Sequence, residues 1–309
     1  MKDLILFGDC RETLKEFDEK ARMCVTSPPY YGLRNYGGEG NQIGQENTPE
    51  EFIQQLVEVF RGVRDCLTDD GTLWVNMGDS YYNYRPGKGQ KLSKQTVASN
   101  DQDLPENCPR RGNKLEGLKE KDLIGIPWML AFALRADGWY LRQDIIWHKP
   151  NPMPESVRDR CTKSHEYIFL LSKNKRYYYD NEAIKEPAKD WGTRDRSKGK
   201  YHNEGTGLSP HTGLSKSYPT KNKRSVWSVT NKPYKGAHFA VYPPDLIEPC
   251  ILAGSEKGDI VLDPFMGSGT TAMVAKKNSR AYLGCELNKD YASLISDRLS
   301  TIPNKLPLY

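Results

Sequence analysis

Short apolar runs alternate with stretches of helical period along almost the whole of this 309-residue chain, and that alternation restricts its fold more than any other feature. LILFGD, ARMCVTSPP and GTLWVNMGDS read as strands, with CRETLKEF and TPEEFIQQLVEVFRGVRDCL as helices between them. The second helix marks its own start. Thr48 stands where an N-cap belongs, Pro49 follows at the first helical position, and Glu51 completes a capping box. IPWMLAFALRADG is a further helix, WYLRQDIIWHK a fourth strand, and HEYIFLLSK a fifth, close enough to the fourth to form an antiparallel edge with it. The chain closes with PPDLIEPCILAGS as a helix begun by prolines, then DIVLDPF (strand), SGTTAMVAKKNS (helix), RAYLGCEL (strand) and NKDYASLISDRLS (helix). Strands separated by helices in this way build a mostly parallel sheet, here seven-stranded, covered on both faces. A hydrophobic content of 37% is enough for one large α/β domain with insertions.

Two segments break the pattern. From Lys185 to Lys235 twelve Lys/Arg stand against four Asp/Glu, a local excess of eight positive charges in a chain whose net charge is only +5. From Tyr82 to Asp122 the count is nine against six. An acidic body carrying basic insertions suits a polyanionic partner better than the modest total suggests. The expected organisation is residues 1–184 as one half of the domain, with an insertion at 82–121, residues 185–235 as a recognition region, and 236–309 as the other half. No stretch approaches the ~20 apolar residues of a membrane span, and MKDLILFGDC is too short in its apolar part for a signal peptide, so a cytoplasmic protein is expected. Seven cysteines without a C-x-x-C pair suggest neither a disulfide framework nor a metal site.

The segment DIVLDPFMGSGTTAMVAKK carries the more informative glycines. A strand ends at Asp263, a tight loop supplies Gly267 and Gly269 on either side of Ser268, and a helix opens at Thr270 or Thr271. Such a loop lets backbone approach a ligand closely and presents free N–H groups. The next strand ends in Glu286, about 20 residues on, where nucleotide-binding α/β folds place a carboxylate for ribose hydroxyls. The spacing lacks the third glycine of a dinucleotide fingerprint and there is no G-K-[ST], while Asp263 beside the glycines argues against a pyrophosphate and suits a cation. A nucleoside joined to a positively charged amino-acid chain, S-adenosylmethionine, fits.

DPFMGSGTT together with VTSPPY resembles the signature pair of the exocyclic-amino DNA methyltransferases, which modify cytosine N4 or adenine N6. The order, VTSPPY first and the glycine loop last, resembles the β group of that family. The resemblance implies a single Rossmann-like methyltransferase domain of circularly permuted motif order, S-adenosylmethionine as cofactor, and duplex DNA as partner. It also implies a prokaryotic or phage setting, with a homodimer and a companion restriction endonuclease as further partners to test.

The chemistry follows the same residues. An exocyclic amine is a poor nucleophile because its lone pair is delocalised into the ring, so acceptors are needed to grip its N–H groups and aim the pair at the methyl. The resemblance assigns this to the Ser27 side chain and the Pro28 carbonyl, with Pro29 stiffening the turn and Tyr30 stacking on a flipped base. It implies cofactor contacts from Asp9, Phe239, Ala240, Asp263, Pro264, Phe265, Gly267, Ser268, Gly269, Thr270 and Glu286. Lys149 and Asn151 are expected to face DNA, as are Arg194, Arg196, His202, Lys221, Lys223 and Arg224 in the basic segment. Serine at position 27 favours cytosine N4, with adenine N6 as the alternative. An RNA or protein methyltransferase and a non-catalytic DNA-binding protein are more distant readings. The Pro249-Cys250 dipeptide, inside a helix, is read as core packing and not as a C5-cytosine nucleophile.

Overall fold

A computed structural model describes residues 2–32, 42–82, 115–188, 219–231 and 242–302. In chain order the elements begin with β1 (Leu4–Phe7), α1 (Cys10–Thr13), β2 (Ala21–Thr26), α2 (Pro49–Cys66) and β3 (Leu67–Met77). Next come α3 (Ile126–Ala136), β4 (Tyr140–His148), β5 (His165–Ser172), β6 (Glu186–Pro187), β7 (Thr220–Lys221) and β8 (Val226–Ser228). The chain ends with α4 (Pro244–Gly254), β9 (Ile260–Asp263), α5 (Thr270–Lys277), β10 (Ala281–Glu286) and α6 (Tyr291–Ser300).

The main sheet runs β1-β10-β9-β2-β3-β5-β4-β8. The strands from β1 through β3 are mutually parallel. Two expectations need correction. β5 is not an edge strand: it lies between β3 and β4, antiparallel to both. Its residues suit the placement, because Phe169 and Leu171 are buried on one face and Ile168 and Leu170 on the other. The seven expected strands are all present, and an eighth, β8, pairs with β4 from inside the basic segment, anchored by the buried Trp227.

Two apolar layers form because side chains alternate across a strand. Ile260 and Leu262 of β9 and Cys24 of β2 point to the face covered by α2 and α3, where Phe52, Leu56, Leu130 and Leu134 are wholly or almost wholly buried. Val261, Met23 and Val25 point to the opposite face, against Leu246, Ile247 and Ile251 of α4 and Val274 of α5. Cys250 belongs to that second layer; it is fully buried and burial pushes its thiol pKa up, so it is core and not a nucleophile. The capping box forms as expected, with Thr48 Oγ1 accepting from Glu51 N at 3.1 Å and Glu51 Oε2 accepting from Thr48 N at 3.3 Å.

Both insertions leave the fold through pinned necks. Tyr82 N donates to Asp122 O at 2.8 Å and Lys121 N returns a bond to Tyr82 O at 2.9 Å, closing one. β6 and β7 pair antiparallel at the base of the other.

Candidate active site

Taken from β9, the sheet order becomes third-second-first-fourth-fifth-seventh-sixth. Successive strands step one way from β9 to β10 and β1, then return to β2 beside β9 and step the other way. In an open α/β sheet ligands bind at the carboxyl ends of the strands where the order reverses. Here the reversal lies between β9 and β2. The glycine loop follows β9 and Ser27-Pro28-Pro29-Tyr30 follows β2, so two motifs whose strand ends are 237 residues apart in the chain meet at one crevice. The meeting is a bond: Thr26 Oγ1 donates to Asp263 Oδ1 at 2.6 Å, wholly buried.

Asp263 is the hub of that contact. Its Oδ1 also accepts from Phe265 N at 3.0 Å, and its Oδ2 accepts from Tyr242 Oη at 3.1 Å and from Thr271 Oγ1. The side chain is fully buried, which pushes its pKa up against the opposing pull of those four donors. The expectation of a carboxylate facing a bound cation is therefore corrected. Asp263 turns inward and ties β2, the loop, α5 and Tyr242, two residues ahead of α4, together.

The loop shape depends on its glycines. Gly267 sits at φ 55° and Gly269 at φ 82°, left-handed values that suit glycine, and a Cβ on Gly269 would come within 3.2 Å of Ile295 Cγ2. Met266 N donates to Cys285 O of β10 at 2.9 Å. Ser268 and Thr270 are buried and turn towards Arg298 of α6, whose Nη1 donates to Ser268 Oγ at 3.1 Å and also to Thr270 Oγ1. Pro264 is buried as well, leaving Phe265 and Gly267 as the partly exposed members of the loop.

Two carboxylates flank it. Glu286, at the end of β10, accepts from Gly267 N at 2.7 Å and from Asn288 N at 2.8 Å, and burial pushes its pKa up. Asp9 follows β1, the next strand over, and N-caps α1 by accepting from Arg11 N at 2.9 Å. Burial raises the Asp9 pKa, but hydrogen bonds and charge from Arg11 outweigh it and hold the carboxyl below its usual range.

On the other side of the crevice the hydroxyl end of the Tyr30 ring is held in place. Its hydroxyl donates to Glu166 Oε2 at 2.6 Å, and its ring lies so close to Gly78 that a Cβ there would stand 2.7 Å from Tyr30 Cε2. Asn76 Nδ2 donates to the same Glu166 oxygen at 3.2 Å, and Lys149 pairs with Glu166 Oε1 while lying 4.2 Å from the Trp147 ring centroid. Lys149 was expected to face DNA. The structure instead turns it to the Glu166 carboxylate, with only 17% of its side chain exposed. Asn151, likewise expected at DNA, bonds the backbone of Asn231 through both amide atoms, at 3.2 and 3.0 Å. Lys221, Lys223 and Arg224 converge on one carboxylate, Glu186, at 4.0, 3.7 and 3.2 Å, leaving a surplus of positive charge at the neck of the basic segment. Arg194, Arg196, His202, Phe239 and Ala240 lie outside the described residues.

Sequence reasoning missed Thr26, Tyr242, Thr271, Arg298, Asn76 and Glu166. The signals were faint: a threonine just before S-P-P-Y, a tyrosine just before two prolines, and a glutamate opening an otherwise apolar strand.

The N6/N4 methyltransferase family model, described as DNA methylase, matches residues 21–297. The chain belongs to this family of DNA methylases. Among curated relatives, the Type II methyltransferase M.SmaI of Serratia marcescens is 49% identical over 96% of this chain and 90% of its own length. M.XycI of Xanthomonas campestris pv. cyanopsidis, also a Type II methyltransferase, is 46% identical over 94% of this chain and 86% of its own length. Two solved chains share the fold. PvuII DNA methyltransferase, a cytosine-N4-specific enzyme, matches with TM-score 0.63 at 18% identity, over 99% of this chain and 88% of that one. A DNA modification methylase of Thermus thermophilus, solved with S-adenosyl-L-methionine, matches with TM-score 0.59 at 24% identity, over 97% and 94%.

The chain is therefore a DNA methylase by family, and its residues fit S-adenosylmethionine, the ligand of the Thermus structure. A Cβ added to Gly267 would meet nothing nearer than Phe265 O at 3.9 Å, so the loop leaves open room beside it. Glu286 accepts from Gly267 N through Oε2 and from Asn288 N through Oε1, and the four acceptor sites of a carboxylate leave capacity for a hydroxyl donor. Among the described residues no group of His, Cys, Asp and Glu has metal-site geometry, and no helix is long and apolar enough to cross a membrane.

Proposed function

We propose that this methylase transfers the methyl group to the exocyclic N4 amine of cytosine in duplex DNA. The observation that carries the reading is the Thr26–Asp263 bond of 2.6 Å, which brings S-P-P-Y and the glycine loop to one crevice. S-adenosylmethionine, when bound, supplies an electrophilic methyl on its sulfonium. Phe265 and Gly267 would border its methionine part, with Glu286 accepting from ribose hydroxyls and Asp9 close to the adenine, as the order β9, β10, β1 supports. Ser27 Oγ and the Pro28 carbonyl accept from the target amine and localise its lone pair, so the amine attacks in line and the carbon–sulfur bond breaks. The resulting ammonium is acidic enough to lose its proton to water. Tyr30 lies against the base, which is flipped out of the duplex to reach it.

Serine at position 27 favours cytosine, and the fold neighbour from the PvuII system is itself cytosine-N4-specific. Adenine N6 remains the second reading because both amines offer the same N–H geometry. Mass spectrometry of nucleosides from treated DNA decides: N4-methylcytosine supports the proposal, and N6-methyladenine replaces it with the second reading. Ser27→Ala should lower the transfer rate by about 100-fold, the scale for losing one aimed hydrogen-bonding group in a transition state, and leave cofactor affinity within a few-fold. Equal loss of both would remove Ser27 from the chemistry. Residues 185–235, and Lys221, Lys223 and Arg224 in particular, are proposed to hold DNA phosphates. The type II relatives support a bacterial cytoplasmic setting beside a restriction endonuclease.

A further inference from the structure

The base-side pocket contains a carboxylate that the transfer reaction does not use. Glu166 is the second residue of β5, and the antiparallel insertion of that strand between β3 and β4 brings it to the same end of the sheet as Tyr30, Gly78 and Lys149. Its side chain is 14% exposed, yet all the bonds it makes lie within this pocket: Oε2 accepts from Tyr30 Oη at 2.6 Å and from Asn76 Nδ2 at 3.2 Å, and Oε1 pairs with Lys149. Asn76 is itself held by donating to Tyr167 O at 3.1 Å. Lys163, donating to Asp79 O at 3.0 Å, is a second cation facing the carboxylate.

We propose that Glu166 is a positioning residue for methyl transfer, acting through the Tyr30 hydroxyl to fix the plane against which the flipped base is held, with Lys149 holding Glu166 in turn. A ring that only stacks needs no hydroxyl, and phenylalanine would serve. A hydroxyl anchored to a paired carboxylate, with glycine opposite so that the ring has one place to lie, restricts both tilt and slide. In-line transfer loses rate steeply when the nucleophile is slightly misplaced. This inference rests on the base-amine reading of Ser27 and Tyr30.

The test is a double-mutant cycle with Tyr30→Phe, Glu166→Ala and the pair together, each assayed for kcat, for KM towards DNA, for cofactor affinity by calorimetry, and for thermal unfolding. The expected result is a fall in kcat of about tenfold in each single variant, the size of one hydrogen bond to a charged group. The double variant should be no worse than Glu166→Ala alone, with cofactor affinity unchanged. Glu166→Gln, which keeps an acceptor for the Tyr30 hydroxyl, should recover most of the rate lost in Glu166→Ala. Multiplying losses, an unaffected Tyr30→Phe, or a rate loss that merely follows lost thermal stability would each overturn the proposal. Ser27→Ala separates the layers: if it retains full activity the parent reading fails, whereas an inactive Ser27→Ala with a multiplicative Tyr30/Glu166 cycle sinks this inference alone.

Discussion

Replacing Asp263 with alanine and with asparagine separates two ways in which a carboxylate next to a cofactor loop can act. In the alanine variant four donors lose their acceptor. Two of them, Tyr242 Oη and Thr271 Oγ1, already contact each other and can re-pair. The other two, Thr26 Oγ1 and Phe265 N, have no substitute, and a buried donor left unmade costs about 1–3 kcal/mol, so the loss should be about 2–6 kcal/mol. The asparagine variant keeps the shape. Its carbonyl can accept from Thr26 and Phe265, and its amide can donate to hydroxyls that also accept. Burial raises the folded pKa of Asp263 above its usual 3.8. Its favourable term is therefore complete below 3.8 and is lost as the pH rises through the folded value, because the unfolded chain ionises first. Asparagine lacks that term, so Asp263→Asn should gain on the parent as the pH is raised from 3.8 through the shifted range. Urea unfolding across this range reads the effect. Calorimetric titration with S-adenosylmethionine supplies the second readout: asparagine should bind within a few-fold of the parent and alanine far more weakly. If asparagine were as damaging as alanine to binding while unfolding like the parent, the carboxylate charge would be meeting the cofactor directly and the bracing argument would be wrong.

Three further outcomes are expected. Gly78→Ala should push the Tyr30 ring aside, since the new Cβ would stand 2.7 Å from Cε2, and should lower the methylation rate with little change in cofactor affinity; a normal rate would show that the ring has other room. Gly269→Ala combines a φ of 82° with an approach of 3.2 Å to Ile295 and should cost more than ~1 kcal/mol in denaturant unfolding, against a gain for alanine had the backbone been ordinary. Replacing Lys221, Lys223 and Arg224 by alanine should weaken DNA binding without regard to sequence and reduce the slope of log affinity against log salt by about one for each phosphate no longer neutralised. An unchanged slope would place the DNA elsewhere.

The sequence made the scaffold legible wherever a local rule and the global pattern agreed. The Thr48–Glu51 capping box is one such place, and the strand, glycine loop and helix around Asp263 are another. It did not reveal the position of β5, because neighbouring antiparallel strands in a sequence pair in space whether or not a third strand is added on the far side. Nothing local in HEYIFLLSK says that β3 will take its other edge; only its burial on both faces does. The same limit hid the roles of Asp263 and Lys149. A charged residue beside a cofactor loop or a DNA-facing segment reads as a ligand contact in one dimension. Asp263's true partners, Thr26 of β2 and Tyr242 ahead of α4, are distant in the chain, and Lys149's partner Glu166 lies across the β4–β5 pair, where strand pairing alone does not say which side chains meet.

That sheet order also explains why S-P-P-Y can precede the glycine loop in the chain and still meet it at one crevice. The groups around the crevice sit at one edge of the sheet: Asp9 after β1, Glu286 at the end of β10, the loop after β9, Ser27 after β2, Gly78 after β3, Glu166 near the start of antiparallel β5, and Lys149 after β4. Which of these is adjacent to which depends on hydrogen-bonded neighbours, not on which connection the chain makes first. The crevice needs only that β9 and β2 lie side by side and point the same way, a register fixed by Met23 against Val261 and Cys24 against Leu262. Those two pairs lie in opposite apolar layers, so a slip of one residue would move Val261 and Leu262 each to the wrong face. The packing that stabilises the sheet thereby sets the distance between the two loops. A substitution such as Val261→Asp should for that reason cost methylation and fold together, whereas Ser27→Ala costs methylation alone.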